Sequence, residues 1–410
     1  MRSTIRIYIV PFILFLTTQL IVSVQRAVTI VPVADLVGKS QYALYPHKKA
    51  SQLYRSFPEF DSAFTCPRLH QLLFNEIVEI LEERGGEVKV QIPNLFHYIN
   101  TDLQTKRNEF WMEKRHLVVL DTLLKKNGTT ANIFPAPIDF KQQAISSHNK
   151  NTVTLVMPFH DPVINQTFSA GTRFVRTENQ TDSGVEVFIF DVRTYQVKKS
   201  LIPKSLCFIE SGQTKQERIQ AFLSVLKRWA HLPDGFISYV WGGCSFTLPE
   251  KTEFKQYTKT KNNKITTVFT YKNDKHSLKT GLDCSGLITR AAQICGIPYF
   301  FKNSTTIAQS LTPLSPDERM SNGDIIWFKG HVFIASNIKQ NLLIEARGYQ
   351  GGYGKIHEIG LHNLFKEINT YQELMKAMHT KQKLTIVDKN GQKTAKVDQI
   401  KILKLASIWK

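Results

Sequence analysis

Cysteine is scarce in this chain and shows no pairing pattern. The 410 residues hold five: Cys66, Cys207, Cys244, Cys284 and Cys295, with no Cys-x-x-Cys pair among them. That excludes a disulfide-dense scaffold and leaves zinc-ribbon and thioredoxin-like motifs without their ligands. An odd count in an exported chain flags one free thiol. Acidic residues are also short, 34 against 53 Lys and Arg, for a formal net charge of +19. A surplus of this size attracts polyanions: an anionic wall, anionic lipid or nucleic acid. The lysines are scattered, with no basic helix or aromatic-basic stripe, so nucleic acid is not singled out as a partner. No repeat of solenoid period is present. Core-forming residues are not lacking: 42% are hydrophobic, too many for disorder, and the length suggests two to four domains.

Residues 1–27 read as a signal peptide or membrane anchor. Arg2 and Arg6 form a basic start, and Ile7 to Val24 is an apolar run broken mildly by Pro11, Thr17, Thr18 and Gln19. No Ala-x-Ala cleavage site follows. The expectation is cleavage near Gln25 to Ala27, or retention with residues 7–24 in the membrane, and in either case a remainder outside the cytoplasm.

From Val28 to about Lys126 the pattern is short and β-rich. Two alternating runs, Ile77 to Glu83 and Val88 to Ile92, flank Gly85-Gly86 as a hairpin signal. Short punctuated strands suggest a small barrel. Residues 127–151 read as a linker. Residues 152–210 form a second β-rich unit with strand candidates at Val153 to Met157, Thr172 to Thr177 and Val185 to Tyr195. Thr214 and Glu217 match a capping box ahead of a helical pattern, so a third unit is expected over 211–410. Its stretch 248–279 is Lys-, Thr- and Asn-rich and reads as an exposed insertion, with a hairpin turning at Lys261 to Lys264.

The chemistry centres on Gly281-Leu282-Asp283-Cys284-Ser285-Gly286-Leu287. Leu287, Ile288, Ala291, Ala292, Ile294 and Cys295 recur as one apolar helical face, and Gly296 and Pro298 supply the stop. Cys284 then sits at the first turn, where free N–H groups and the helix dipole favour a thiolate. A nucleophilic Cys needs a His to take its proton and a third group to orient that His. His331 opens an apolar strand after Gly330. If 331–336 and 342–347 form a hairpin centred on Ile338, Glu345 lies directly across from it, with Cβ atoms about 4.5–5.5 Å apart. Arg347, two residues on, offers Glu345 a competing ion pair.

Tyr239 to Gly243, Gly281 to Leu287, Gly323 to Phe328 with His331 to Ile334, and Leu343 to Ala346 together resemble the successive motifs of the NlpC family of papain-like cysteine peptidases. The resemblance spans about residues 214 to 370. Upstream, Val31 to Asp35 with Glu79 to Gly86, and Ser169 to Phe174, resemble the bacterial SH3-like domains of multi-domain members. The implied fold is α+β: a papain-like catalytic domain, with a helix packed on an antiparallel sheet, preceded by two small SH3-like β-barrels at 28–126 and 152–210. The resemblance implies Cys284 as nucleophile, His331 as general base and Glu345 in the third position, where the family more often has His. It implies Tyr239, Asp283 and Ser285 as substrate-binding residues, Asp283 toward a free N-terminal amine. No metal or organic cofactor is implied.

The expected function is an exported cell-wall cysteine endopeptidase. It would hydrolyse γ-D-glutamyl-diamino acid bonds of peptidoglycan stem peptides or muropeptides through a thioester. The expected setting is the bacterial periplasm, cell envelope or exterior, as a monomer. Two alternatives stand beside it: an inactive wall-binding protein, and a same-fold amidase or acyltransferase acting on another substrate.

Overall fold

The computed structural model describes residues 25–55, 57, 66–93, 95–99, 102–127, 133–136, 151–209, 212–251, 255–261, 264–270, 280–298 and 302–409. The expected leader up to Val24, most of the 127–151 linker and parts of the 248–279 insertion lie outside these residues. Among the described residues, no helix is long and apolar enough to cross a membrane. The chain is a mixed α/β structure with antiparallel sheets and few helices.

The first β-rich unit is a seven-stranded antiparallel sheet. Its order is Arg68–Leu73, Val33–Val37, Glu109–Glu113, Glu87–Gln91, Ile77–Arg84, Gln25–Thr29 and Leu117–Val119. The expected hairpin is present. Arg84 pairs with Glu87, and Gly85 and Gly86 both adopt positive φ, as the tight turn requires. The β-rich start of this unit is two strands, Gln25–Thr29 and Val33–Val37, separated by Ile30 to Pro32. The first of them begins at Gln25 and buries Ala27 completely.

The second unit is a five-stranded antiparallel sheet, ordered Gln196–Pro203, Gly184–Asp191, Arg173–Gln180, Thr152–Leu155 and Cys207–Ile209. The run expected as one strand from Val185 to Tyr195 bends into a hairpin at Tyr195, which adopts φ +56°. Among the described pairings neither sheet closes into a barrel. The two units share a core in which the Phe74 ring meets Phe168 at 4.8 Å and Phe174 at 6.3 Å between centroids.

The third unit begins with α1 (Lys215–Ala230), whose capping box forms as expected between Thr214 and Glu217. It continues through α2 (Cys284–Ile294), α3 (Ser304–Ser310), β1 (Thr312–Pro313), β2 (Ile325–Phe328), β3 (His331–Asn337), β4 (Leu342–Arg347), β5 (Lys355–Gly360), α4 (Tyr371–His379) and β6 (Ile400–Lys404). The sheet runs β1-β6-β2-β3-β4-β5, all antiparallel. Strict alternation buries both of its faces. Ile325, Val332, Ile334, Ile344 and Leu403 pack with α1 and α2. Ile326, Phe333, Ala335, Leu343 and Ile402 pack with α4. Within the insertion, Lys255–Lys261 pairs with Lys264–Thr270, so the hairpin turns where the sequence placed it.

Candidate active site

Helix α2 carries Cys284 as its first residue, half-buried. Its apolar face is fully covered: Leu287, Ile288, Ala291 and Ala292 are each 0% exposed. Asp283 is the N-cap. Its Oδ1 accepts from the Gly286 N–H at 2.5 Å and from Ser285 Oγ at 2.9 Å. Gly286 is required there, because a Cβ would stand 2.0 Å from the Gly243 carbonyl oxygen. Gly242 is held at φ +70°, and a Cβ on it would meet the Arg68 carbonyl oxygen at 2.3 Å. The first approach seats the Trp241-Gly242-Gly243 turn against the start of α2, and the second seats it against the Arg68–Leu73 strand of the first unit.

Asp283 has a further partner that the sequence did not suggest. The Lys302 ammonium lies 2.8 Å from each carboxylate oxygen and 3.4 Å from the Gly243 carbonyl. Lys302 is buried, and its own N–H donates to the Phe96 carbonyl of the first unit. The Asp283 carboxylate is thus already paired with a cation inside the protein. Ser285 is buried as well, with its hydroxyl turned onto Asp283.

His331 follows the two-residue turn Lys329-Gly330, in which Gly330 adopts φ +89°. Its Nε2 lies 2.6 Å from Glu345 Oε2. The register differs from the expected one. Ile334 pairs with Ile344 and Ala335 with Leu343, and Ser336 bulges before Asn337 pairs with Leu342. The hairpin phase is therefore shifted by two residues, and His331 meets Glu345 diagonally instead of directly across. An even shift keeps both side chains on one face, which is why the contact survives.

Glu345 is 0% exposed and has a second ring partner, His357, directly across on β5 with Nε2 3.0 Å from Oε1. The expected competitor keeps a long ion pair with Glu345 and no hydrogen bond to it. Arg347 Nη1 is 3.8 Å from Oε1, while its Nη2 donates to the Val387 carbonyl and its guanidinium lies over the Tyr353 ring.

The electrostatics tie these groups to Cys284. Burial pushes the His331 ring down, but hydrogen bonds to Cys284 and Glu345, and their charges, raise it to about 9. With Nε2 on Glu345, Nδ1 is the ring nitrogen left for the thiol. Burial alone would raise the Glu345 carboxyl. Hydrogen bonds from His331 and His357 outweigh it and hold the group well below the usual carboxylate range. Tyr239 is nearly buried, and its backbone N–H donates to the Gly354 carbonyl at 2.9 Å. Burial, then the charges of Cys284, Asp283 and Cys66, push its phenol well above the ordinary value. It therefore stays protonated. Elsewhere, burial pushes the Cys207 thiol up to about 12 and also raises those of Cys244 and Cys295. Those three are kept as inert thiols.

Both N-terminal units dock beside this centre. From the first, Gln71 Oε1 accepts from the Cys244 N–H and the Ser245 hydroxyl, Arg68 donates to the Trp241 carbonyl, and Glu76 pairs with Arg290 of α2 at 2.9 Å. From the second, the Ser169 hydroxyl accepts from the Phe246 N–H at 2.8 Å. Sequence reasoning missed Lys302, Gln71 and His357. None lies in an alternating or helical pattern that ends at Cys284, so only tertiary placement reveals them.

No family model matches the chain, and no curated protein matches it. Among solved structures it is similar to an NlpC/P60 family protein from Bacillus cereus, at 14% identity and TM-score 0.49, with 82% of this chain and 94% of that one covered. It is also similar to NlpC2 from Trichomonas vaginalis, at 12% identity and TM-score 0.31, with 83% and 94% covered. A third similar structure is the peptidoglycan hydrolase RipB from Mycobacterium tuberculosis, at 19% identity and TM-score 0.23, with 38% and 68% covered.

Proposed function

We propose that this protein is a cysteine endopeptidase acting on peptidoglycan stem peptides. The observation that carries the reading is the His331–Glu345 contact at 2.6 Å beside a thiol at the first turn of α2, with the Cys284 thiol among the groups that raise the His331 ring. The substrate class rests on the motifs that resemble the NlpC family and on the +19 charge, which suits an anionic wall.

In this reading the Cys284 thiolate attacks the carbonyl carbon of a γ-D-glutamyl-diamino acid bond. The oxyanion is stabilised by the N–H groups of Cys284 and Ser285 at the helix start and by the Tyr239 hydroxyl. The His331 imidazolium gives its proton to the leaving amine, and a thioester remains. Water, deprotonated by the now neutral His331, attacks the thioester and releases the new carboxylate and the thiol. Glu345 stays ionised throughout and orients the ring.

Asp283 is assigned the helix cap and the charge partner of Lys302, not an amine-binding role, because its carboxylate is already paired. Ser285 supports that cap. The units at 28–126 and 152–210 are read as SH3-like modules that position the wall fragment. Their docking through Gln71, Arg68 and Ser169 supports this reading. Residues up to Val24 are read as the export signal or anchor, ahead of the strand that begins at Gln25, so the protein works in the cell envelope.

The test is incubation of the full chain with defined muropeptides followed by mass spectrometry. Cleavage at one stem bond, absent in Cys284→Ala, is expected. Wall binding with no cleavage of any stem would leave a binding protein, and hydrolysis of a non-wall amide alone would move the substrate.

A further inference from the structure

Glu345 has two carboxylate oxygens, and a different imidazole takes each. His331 Nε2 is 2.6 Å from Oε2, and His357 Nε2 is 3.0 Å from Oε1. The carboxylate is fully buried, and the His357 side chain is 8% exposed. Glu345 therefore cannot turn about its terminal bond without releasing one ring. His357 is itself fixed. It pairs with Glu345 across the ladder, the Tyr353 ring packs edge-on against it at 4.2 Å, and Ser238 bridges the start of β5 at Lys355. That bridge lies next to Tyr239, so β5 links both sides of the thiol.

We propose that His357 is a positioning residue: by holding Oε1, it aims Oε2 at His331 and keeps Arg347 from taking the carboxylate. The proposal rests on the nucleophile reading of Cys284. His357 touches no reacting atom in that scheme. The titratable and charged groups facing Glu345 are His331 from β3, His357 from β5, Arg347 on its own strand and Tyr353 from the turn before β5. Cys284 lies beyond His331.

The sign of the effect follows. Glu345 helps raise the His331 ring. When Oε1 loses its donor, the carboxylate is free to rotate toward Arg347, and its hold on His331 weakens. The imidazolium then loses its proton at lower pH. Removing one hydrogen bond to a charged group corresponds to roughly a tenfold loss in kcat, with KM unchanged because the substrate is not touched.

The experiment follows alkylation of Cys284 by iodoacetate against pH, read by mass spectrometry of the Cys284 peptide. Iodoacetate is anionic, so the neighbouring imidazolium attracts it, and the rate falls when that charge is lost. This readout needs no substrate. Failure to cleave any stem peptide would therefore remove the substrate assignment without touching this test. In the native chain the alkaline limb is expected near pH 9. In His357→Phe it moves down by roughly half to one pH unit. His357→Gln, whose amide N–H reaches Oε1, restores the native limb. His357→Asn, which is too short to reach, gives the shifted limb in a polar variant should His357→Phe not fold. A native limb in both His357→Phe and His357→Asn, or an equal shift in His357→Gln, overturns the proposal.

Discussion

His331 Nε2 stands 2.6 Å from Glu345 Oε2, and the carboxylate it meets is fully buried. Burying a carboxylate is unfavourable unless it is paired and hydrogen-bonded. The two imidazoles meet that requirement and in return gain an anion that supports a charged ring. The behaviour of the site with pH and mutation follows from this exchange.

Glu345→Gln keeps the shape and removes the charge. We expect kcat for stem-peptide cleavage to fall about ten- to hundredfold, as for loss of a hydrogen bond to a charged group. KM should hold, and the alkaline limb of kcat/KM should move below pH 9, because the carboxylate no longer raises His331. Steady-state kinetics across pH 6 to 10 check this. Unchanged kinetics would leave Glu345 a structural residue.

Stability carries the same signature. The His331 ring is raised from 6.5 to about 9, so its contribution is complete below pH 6.5 and lost as pH rises through 9. Glu345 is lowered, so its contribution is present above the ordinary carboxylate range and lost in acid. Thermal melts of the native chain and of His331→Asn should differ most between about pH 5 and 6.5, narrow as pH rises from there, and converge above pH 9. A gap that stays constant across that window contradicts the linkage.

Lys302 and Asp283 form a buried ion pair at the start of α2. Lys302→Met leaves a carboxylate without its cation and should destabilise by about 3–5 kcal/mol. Asp283→Asn combined with Lys302→Met should recover much of that loss, because no unpaired charge remains. Denaturant unfolding of the two single variants and the double variant measures the coupling. Additive losses would show that the pair is not a unit.

Gly286→Ala tests the seat of α2. The new Cβ would lie 2.0 Å from the Gly243 carbonyl oxygen, which is backbone and cannot swing aside. A loss of about 1–3 kcal/mol is expected from overpacking, with a fall in kcat as the thiol is displaced. A variant that melts with the native chain would mean the turn gives way easily.

Some of this site is visible before any coordinates. The cap at Asp283, the apolar repeat from Leu287 to Cys295 and the stop at Gly296 are local signals, and α2 forms where they place it. His331 and Glu345 share a face because alternation survives an even slip. The slip is set at the turn, where Asn337 pairs with Leu342, and the one-residue bulge at Ser336 brings it to an even number; nothing in these residues' identity announces either. Tyr195 hid a hairpin for a related reason: it takes a left-handed backbone without being Gly or Asn. Sheet closure in the N-terminal units is a matter of which edges meet, and strand periodicity does not carry that information. His357 and Lys302 act across pairings and turns, so only the fold brings them to the site.

The most direct measurement is the covalent intermediate. The full chain is mixed with a stem peptide, quenched in acid within the first turnover, and digested for mass spectrometry. We expect an acyl group, bound as a thioester, on the peptide that contains Cys284, and no adduct on the peptides of Cys66, Cys207, Cys244 or Cys295. Product formed with no acyl group on Cys284, or product formed equally by Cys284→Ala, would contradict the account.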